Sequence, residues 1–332
     1  MTHEPKTMND WRPTASLKAL RLRAALLAVA RRHFAERGVL EVETPALSQA
    51  GVSDVHVDSL RVSAPRLGLS RYLSTSPEYP MKRLLAAGSG DIYQICRAFR
   101  DGERGRLHNL EFTLIEWYRV GFDVEQLMND VETLLGALLA PCCTSSRWQP
   151  AMRLSYREAM LRYAGIDPFD DSIDTVGAAL VRRGVPLPPG LGDARDPWLD
   201  LLMSTVVGPQ LGQDALCFVH GYPASQAALA RLQSGEPPTA ERFEAYFRGV
   251  ELANGFRELT DAAEQRARFE AEQVTRRRDG RDAPPVDEHM LAALAAGLPD
   301  CSGVALGFDR VVMLGYAASA IDEVIAFPSE RA

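Results

Sequence analysis

The chain has 332 residues, of which 46% are hydrophobic and 24% charged, and this balance excludes a disordered or collagen-like protein. Its 37 basic and 44 acidic residues give a net charge of −7, which argues against broad non-specific binding to nucleic acid, because phosphate affinity requires clustered positive charge. The longest apolar stretches, such as 134–143, are shorter than the roughly 18 to 20 residues that span a bilayer, so we expect no membrane association.

The cysteines favour a reducing, cytoplasmic compartment. There are 5, an odd number, without a C-x-x-C pair or histidines at zinc-finger spacing. Residues 1–11 also lack the apolar segment of a secretory signal. We interpret the adjacent Cys142 and Cys143 as small buried apolar side chains at a helix end rather than as a redox pair.

The first predicted element is a helix over 16–37. Apolar residues recur there at helical spacing, Ser16 can cap the start, and Gly38 supplies the stop. Residues 39–45 then alternate apolar and acidic side chains before a proline, which predicts a half-buried strand that ends there.

Two β-rich runs follow, 92–100 and 111–119, on either side of a charged loop that contains glycines. We expect antiparallel strands here, and a loop of this length and charge between strands is more often functional than passive. The next residues predict a helix over 123–140 and short helices over 156–184. Residues 141–215 carry no recognisable motif, and we interpret them as a helical insertion packed on the main domain.

The last third is rich in strands, with strand-like runs at 215–220, 242–253 and 303–308. Asp261 can cap a charged helix, and a further helix is predicted over 309–314. Regular helices do not separate these strands. The sequence therefore predicts an α+β fold, a single domain whose mainly antiparallel sheet is flanked by helices, rather than a doubly wound parallel sheet.

Charged residues concentrate on these strands or at their ends. On the run 242–253, Arg242, Glu244 and Tyr246 share one face, whereas Glu251 falls on the opposite face unless Gly249 introduces a bulge. Taken singly, each has a structural interpretation as well as a functional one. A strand glutamate beside an arginine usually forms a surface ion pair of little energetic value. Three further residues also have structural interpretations. Arg310 is suited to cap a helix, Tyr118 to lie in the core, and Asn109 to hold a turn.

The order of three motifs points to one family. Gly38–Pro45 resembles motif 1 of the class II aminoacyl-tRNA synthetases, Phe99–Thr113 resembles motif 2, and Gly303–Arg310 resembles motif 3. The resemblance covers residues 16–327 and is of the lysyl type. It implies a class II catalytic core, a homodimer built on motif 1, and ATP held by the loop and arginine of motif 2 and the arginine of motif 3.

Two further segments narrow the resemblance. Thr75–Leu84 and Gly249–Asp261 are similar to the lysine-selective subgroup and, closer still, to paralogous ligases that join (R)-β-lysine, or less well α-lysine, to a lysine side chain of elongation factor P. Such an enzyme forms an acyl-adenylate from ATP with Mg²⁺. Two alternatives share the same core: a truncated lysyl-tRNA synthetase with a tRNA acceptor, and a non-catalytic paralogue that binds an amino acid and ATP.

The resemblance also implies roles for individual residues. Both predicted catalytic residues are arginines that neutralise phosphate charge, Arg100 and Arg310. The substrate-binding set is predicted to be Ser76, Glu78, Glu116, Tyr118, Glu251, Asn254 and Ala305. The ATP-binding set is predicted to be Arg100, Glu103, His108, Asn109, Phe112, Glu244, Ala245, Gly307 and Arg310. Mg²⁺ prefers hard carboxylate oxygens, and its predicted ligands are Glu244 and Glu251.

The chain departs from the family pattern at two positions that matter for substrates. Gly102 stands where relatives carry a glutamate after the motif 2 arginine, and Glu103 follows one residue later. Ala305 stands where lysyl-tRNA synthetases carry glycine. The added methyl group removes space near the substrate α-carbon, so we expect a preference shifted towards a β-amino acid.

Only 15 residues precede the first predicted helix. A five-stranded barrel at about five residues per strand needs about 25 residues in its strands alone. We therefore expect no anticodon-binding domain and no stable tRNA binding.

Overall fold

The structure is a computed structural model that describes residues 11–142 and 148–332. Residues 1–10, which hold most of the predicted N-terminal lead, lie outside these ranges, and so does Cys143. Cys142 is half-buried rather than buried, because it lies beyond the end of the preceding helix, with its sulfur beside Gly315 at the surface of the core.

Twelve strands occur in the described ranges. They are β1 (Leu40–Glu41), β2 (Leu47–Ser48), β3 (Arg61–Ala64), β4 (Leu69–Leu73), β5 (Ile92–Phe99), β6 (Glu111–Val120), β7 (Met152–Ser155), β8 (Cys217–Pro223), β9 (Leu232–Gln233), β10 (Thr239–Phe247), β11 (Val250–Arg257) and β12 (Cys301–Gly307). Nine of them form one sheet in the order β1-β5-β6-β12-β11-β10-β8-β7, with β9 paired to β10, and β2-β4-β3 form a small second sheet. Every pair except β1–β5 and β7–β8 is antiparallel, as predicted.

The α-helices of the described ranges flank the large sheet. They are α1 (Leu17–Ala35), α2 (Glu78–Ala86), α3 (Val124–Leu139), α4 (Tyr156–Ala164), α5 (Ile173–Arg182), α6 (Asp196–Leu202), α7 (Ala262–Arg278), α8 (Glu288–Gly297) and α9 (Phe308–Tyr316). The Ser16 hydroxyl caps α1 and the Asp261 carboxylate caps α7, as the sequence predicts. Within these ranges, no helix combines the length and the apolar character that crossing a bilayer requires.

The main core lies between the large sheet and the helices α1, α3 and α9. Alternation along β6 sends Ile115 and Trp117 into this core and leaves Glu116 and Tyr118 for the opposite face. Arg23 of α1 extends the packing with polar contacts, because it donates hydrogen bonds to the Asp309 carboxylate at 2.5 Å and to the Thr113 hydroxyl at 2.6 Å. The first helix is thereby tied to the start of α9.

Three predicted elements differ in detail. The strand expected over 39–45 shortens to β1, because it pairs with β5 alone and turns away before the proline. The run 242–253 is two strands, since Arg248 and Gly249 both take positive φ values of 52° and 72° and close a tight turn between β10 and β11. Within the segment 141–215, whose residues 143–147 are not described, β7 joins the edge of the large sheet, so this segment is not wholly helical.

Candidate active site

A cavity of about 430 Å³ lies on the face of the large sheet that α1, α3 and α9 leave open. Its floor consists of side chains from β6, β11 and β12. Its walls come from the start of α2, the loop between β5 and β6, and a loop at 52–57 that precedes β3. Helix α7 contributes Phe269 and Glu272 to the outer wall.

The register of the sheet explains why residues distant in sequence meet here. Directly paired residues lie on the same face, so each set of pairs across β6, β12, β11 and β10 forms a row. The first row consists of Glu116, Ala305, Asn254 and Glu244. The second row, two residues further along, consists of Tyr118, Gly303, Phe256 and Arg242.

Glu251 lies on the same face as Glu244. The pairing between β10 and β11 shifts between Ala245 and Tyr246, so that Tyr246 pairs with Glu251. From the sequence, Glu251 was expected on this face only if Gly249 introduced a bulge. The irregularity is present but lies inside the strand pair, because Gly249 is used for the turn.

One end of the cavity is acidic. The Glu116 carboxylate accepts hydrogen bonds from the Ser76 hydroxyl at 2.7 Å and from the Tyr118 hydroxyl at 2.8 Å, and Ser76 also accepts one from the backbone N–H of Glu78. Burial, followed by the charge of Glu78, raises the pKa of Glu116 to about 7. This end therefore presents the buried carboxylate of Glu116 and the half-buried carboxylate of Glu78 to the cavity, and it suits an ammonium group.

The other end is basic. The Arg310 guanidinium donates to the backbone carbonyl of Glu251 at 2.9 Å and lies 2.8 Å from Nε2 of His108. Burial and the charge of Arg310 lower the pKa of His108, so the imidazole is neutral at pH 7 and its Nε2 can accept a hydrogen bond from Arg310. Burial and the charge of Glu244 raise the pKa of Glu251, against the opposing effect of Arg310.

Arg100 faces the same end from the close of β5. Its guanidinium lies 5.0 Å from the centre of the Phe112 ring and donates to Glu103 at 3.3 Å. Its buried Nε has no hydrogen-bond partner among the described residues. Gly102 has φ of 75° and carries no side chain, so Glu103 is the loop carboxylate that pairs with Arg100 and lines the cavity. A half-buried guanidinium whose buried Nε is an unused donor is suited to an anionic ligand.

Most predicted site residues line the cavity, including Ala305, Asn254 and Gly307. Asn109 does so as well, but its amide is used by the protein, since it donates to the Glu111 carbonyl at 2.6 Å and accepts from the Ser329 hydroxyl at 2.7 Å. The turn interpretation of Asn109 therefore agrees with its contacts.

Two predicted residues do not line the cavity. The Glu244 carboxylate accepts hydrogen bonds from Arg242 at 2.6 Å and from the Tyr246 hydroxyl at 2.5 Å, so both of its oxygens are in use. Ala245 is fully buried in the main core on the other face. Their nucleotide and metal roles stay predictions, and for Glu244 they require exchange of these partners for the ligand.

The carboxylates of the cavity do not form a closed metal site. In the described ranges, no group of three or more histidine, cysteine, aspartate or glutamate side chains is placed to hold a metal ion. Of the two predicted ligands, Glu251 is the one that lines the cavity, at its basic end. This fits Mg²⁺ that arrives with phosphate oxygens, since such sites need only one or two carboxylates from the protein.

Sequence reasoning missed several residues around the cavity. Lys82 and Glu258 occur in the quoted motifs but received no role, and both are fully buried beside the acidic end. Ser53 and Glu272 line the outer wall and hydrogen-bond to each other. Burial raises the pKa of Glu272 to about 7. No local pattern could reveal this pair, because a loop and a helix more than 200 residues apart supply it.

The fold and the site together define a class II synthetase-type catalytic domain. The family model for tRNA synthetases class II (D, K and N) matches residues 3–331, and the chain belongs to this family. It is 47% identical to the elongation factor P–(R)-β-lysine ligase of Vibrio cholerae over 330 residues. These residues make up 98% of this chain and 100% of that protein. Proteins of the same name from Sodalis glossinidius and Pectobacterium atrosepticum are 48% and 49% identical over 327 residues, in each case 97% of this chain and 98% of theirs.

Proposed function

We propose that this chain is an ATP-dependent ligase that activates (R)-β-lysine, and α-lysine less well, and transfers it to the ε-amino group of a lysine on elongation factor P. The observation that carries the proposal is the division of one cavity into a basic end with Arg100 and Arg310 and an acidic end with Glu78 and Glu116. A nucleotide and a diamino acid need these opposite environments. The names of the near full-length relatives support the same substrate and acceptor.

The first step is adenylate formation. A carboxylate oxygen of the amino acid attacks the α-phosphorus of ATP, and the bond from that phosphorus to the pyrophosphate oxygen breaks. Arg100 and Arg310 supply positive charge where charge builds up on the phosphate groups. In the second step the acceptor amine attacks the acyl carbonyl, the carbon–oxygen bond to AMP breaks, and the amine loses a proton. Neither step requires a covalent bond to the protein, so positioning and electrostatics carry the reaction.

The acidic end selects the amino acid. Ammonium groups gain strong charge-assisted hydrogen bonds from carboxylates in a dry site. In this proposal Glu78 and Glu116 receive the ammonium groups, and Tyr118 and Ser76 hold Glu116 in place. Ala305 and Asn254 form the floor beneath the carbon chain.

The basic end takes ATP with Mg²⁺. In this proposal Glu103, His108 and Phe112 complete the nucleotide-binding surface with Gly307. Mg²⁺ neutralises phosphate charge when it is bound, and Glu251 would hold it together with phosphate oxygens, with Glu244 as a second ligand if Arg242 releases it.

The proposal includes a homodimer, a cytoplasmic location and no stable complex with tRNA. The resemblance of residues 38–45 to motif 1 supports the dimer. Cys96, Cys217 and Cys301 are free thiols, which suits a reducing compartment.

The decisive experiment is the intact mass of purified elongation factor P after incubation with this protein, ATP, Mg²⁺ and either β-lysine or α-lysine. We expect a gain of one lysyl unit, larger with β-lysine. Lysine-dependent pyrophosphate release without a gain of mass on elongation factor P would contradict the proposed acceptor, and transfer to tRNA would then be measured. Absence of pyrophosphate release in the presence of bound ATP would favour the non-catalytic alternative.

A further inference from the structure

A single lysine is buried behind the acidic end of the cavity. The chain contains only three lysines, Lys6, Lys18 and Lys82, among its 37 lysine and arginine residues. Lys82 lies on α2, one helical turn after Glu78, and its side chain is fully buried. In a chain in which nearly all basic residues are arginines, a compact buried ammonium group at this position calls for a specific explanation.

The ammonium group of Lys82 has two carboxylate partners. It donates a hydrogen bond to Oε1 of Glu78 at 2.7 Å and lies 2.6 Å from Oε2 of Glu258. It also lies 5.6 Å from the centre of the Phe256 ring. Burial alone would lower the pKa of Lys82, but the charges of Glu258 and Glu78 outweigh it and raise that pKa, so the group stays protonated.

The two partners differ in their exposure to the cavity. Glu78 lines the cavity, whereas Glu258 lies behind Gly303. A Cβ atom added at Gly303 would lie 2.5 Å from Oε1 of Glu258. A buried ion pair with no further role is of little net value, because the cost of removing both charges from water cancels much of the attraction. Here the Lys82 ammonium group has a second partner besides the buried Glu258. It also contacts Glu78, and Glu78 lines the cavity.

We propose that Lys82 is a positioning residue whose ammonium group fixes the Glu78 carboxylate in the orientation that receives an ammonium group of the amino acid. This inference rests on the proposed function, because it concerns the same substrate. Lys82 does not touch the substrate in this arrangement. It acts through Glu78, whose side chain lines the cavity wall and has three rotatable bonds.

The charges of the acidic end give a second readout. Lys82 lowers the pKa of Glu258, which burial raises to about 8, and it also lowers that of Glu116. Removal of Lys82 therefore moves both pKa values upward. The described groups that act on Glu116 include Ser76, Tyr118, Glu78, Glu258, Cys96 and Lys82, and of these six Lys82 is the one with a positive charge.

The test uses ATP–pyrophosphate exchange with the full-length protein, which measures adenylate formation alone. Loss of Lys82 by itself would leave Glu258 buried and unpaired, so we compare the double variant Lys82→Met/Glu258→Gln with the matched single variant Glu258→Gln. Both variants carry a neutral amide at position 258, and only the single variant retains the contact to Glu78. We expect the KM for β-lysine to be about tenfold higher in the double variant than in the single variant. Without Lys82 the Glu78 carboxylate is no longer held in place, which weakens its charge-assisted contact with the substrate ammonium group, whereas the KM for ATP stays unchanged.

The variant Lys82→Met supplies the second readout where it folds. In this variant the KM for β-lysine is expected to begin its rise at a higher pH than in the wild type, because the pKa of Glu116 is higher without Lys82. Equal KM values for β-lysine in the double variant and in Glu258→Gln would overturn the inference, whatever their thermal midpoints, because a purely structural lysine changes stability alone. Failure of the wild-type protein to exchange pyrophosphate with either lysine would instead overturn the proposed function.

Discussion

Glu116 is buried and has a raised pKa, and in the proposed function it contributes both selectivity and pH dependence. It lies in the first row across the sheet, is 2% exposed, and its two oxygens are held by Ser76 and Tyr118. Burial disfavours the ionised form of the Glu116 carboxyl group. An ammonium ligand requires that ionised form. The arrival of the ligand therefore stabilises the ionised form.

The first prediction concerns the pH dependence of amino acid binding. Because the pKa of Glu116 is raised to about 7, the carboxyl group binds a proton as the pH falls below that value and loses its attraction for an ammonium group. The side-chain ammonium group of lysine, with a pKa of roughly 10.4, stays charged throughout. We expect the KM for β-lysine to rise steeply between pH 7 and pH 6, approaching about tenfold per pH unit. Exchange assays from about pH 6 to about pH 8.5 measure this.

The variant Glu116→Gln is the control for that prediction. It removes the titrating group, so its KM is expected to be higher than that of the wild type at pH 8 and to lose the rise centred near pH 7. A wild-type KM that is constant between pH 8 and pH 6 would contradict the assignment of Glu116 to the ammonium group.

A second prediction concerns Ala305, which lies between Glu116 and Asn254 in the same row. Removal of its methyl group opens space on the cavity floor, so Ala305→Gly is expected to improve the activation of α-lysine relative to β-lysine. One methyl group contributes about 1 kcal/mol, or roughly fivefold in the ratio of the two rates. Ala98→Gly is the matched control, because Ala98 is equally a strand alanine of this sheet but does not line the cavity. An unchanged ratio in Ala305→Gly would refute the proposed origin of the preference.

At the scale of elements, local patterns predicted what local chemistry determines. The caps Ser16 and Asp261 specify where α1 and α7 begin, and apolar periodicity specifies the face that α3 buries. The turn at Gly249 was missed because an unbroken β-rich run looks the same with or without a reversal until the φ values are known. The wall at 52–57 was missed for another reason, since contacts with α7 determine its position.

Arg276 of α7 makes most of those contacts. It is 1% exposed and donates to the carbonyl oxygens of Asp54 at 2.5 Å, Val57 at 3.0 Å and Asp282 at 2.5 Å. It also pairs with the Asp58 carboxylate. One buried guanidinium therefore holds the loop at Asp54 and at Val57.

A third prediction follows for this loop. Arg276→Met leaves several carbonyl groups without a donor, so we expect a loss of about 2–4 kcal/mol in the free energy of unfolding and a higher KM for the amino acid. Arg278→Met is the control, because the Arg278 side chain is 72% exposed and its pair with Asp279 is of little energetic value. Urea denaturation and exchange kinetics measure both quantities. Equal stability of the two variants would show that the loop does not depend on Arg276.

At the scale of the whole molecule, the sequence predicted the fold, and most of the site residues that it predicted line the cavity, because three motifs in a fixed order constrain which strands become neighbours. The motifs did not predict the partners that each side chain finds. Glu244 is the clearest case, since it lies on the expected face of its strand, but Arg242 and Tyr246 occupy its carboxylate. Such competition depends on rotamers and on charges from other strands, which spacing along one strand does not specify.

The last prediction concerns assembly, which the motif 1 resemblance assigns to the region around β1. Leu40 of β1 is 54% exposed at one open edge of the nine-stranded sheet, and Leu47 of β2, seven residues further along the chain in the small sheet, is 51% exposed. Burial of a leucine contributes about 1.5–3 kcal/mol, and a two-fold axis counts each residue twice. We therefore expect sedimentation of a dimer at micromolar concentration, and a monomer for Leu47→Glu. Leu161→Glu, at a similarly exposed leucine of α4, should remain dimeric, and a wild-type monomer would show that this edge is not an interface.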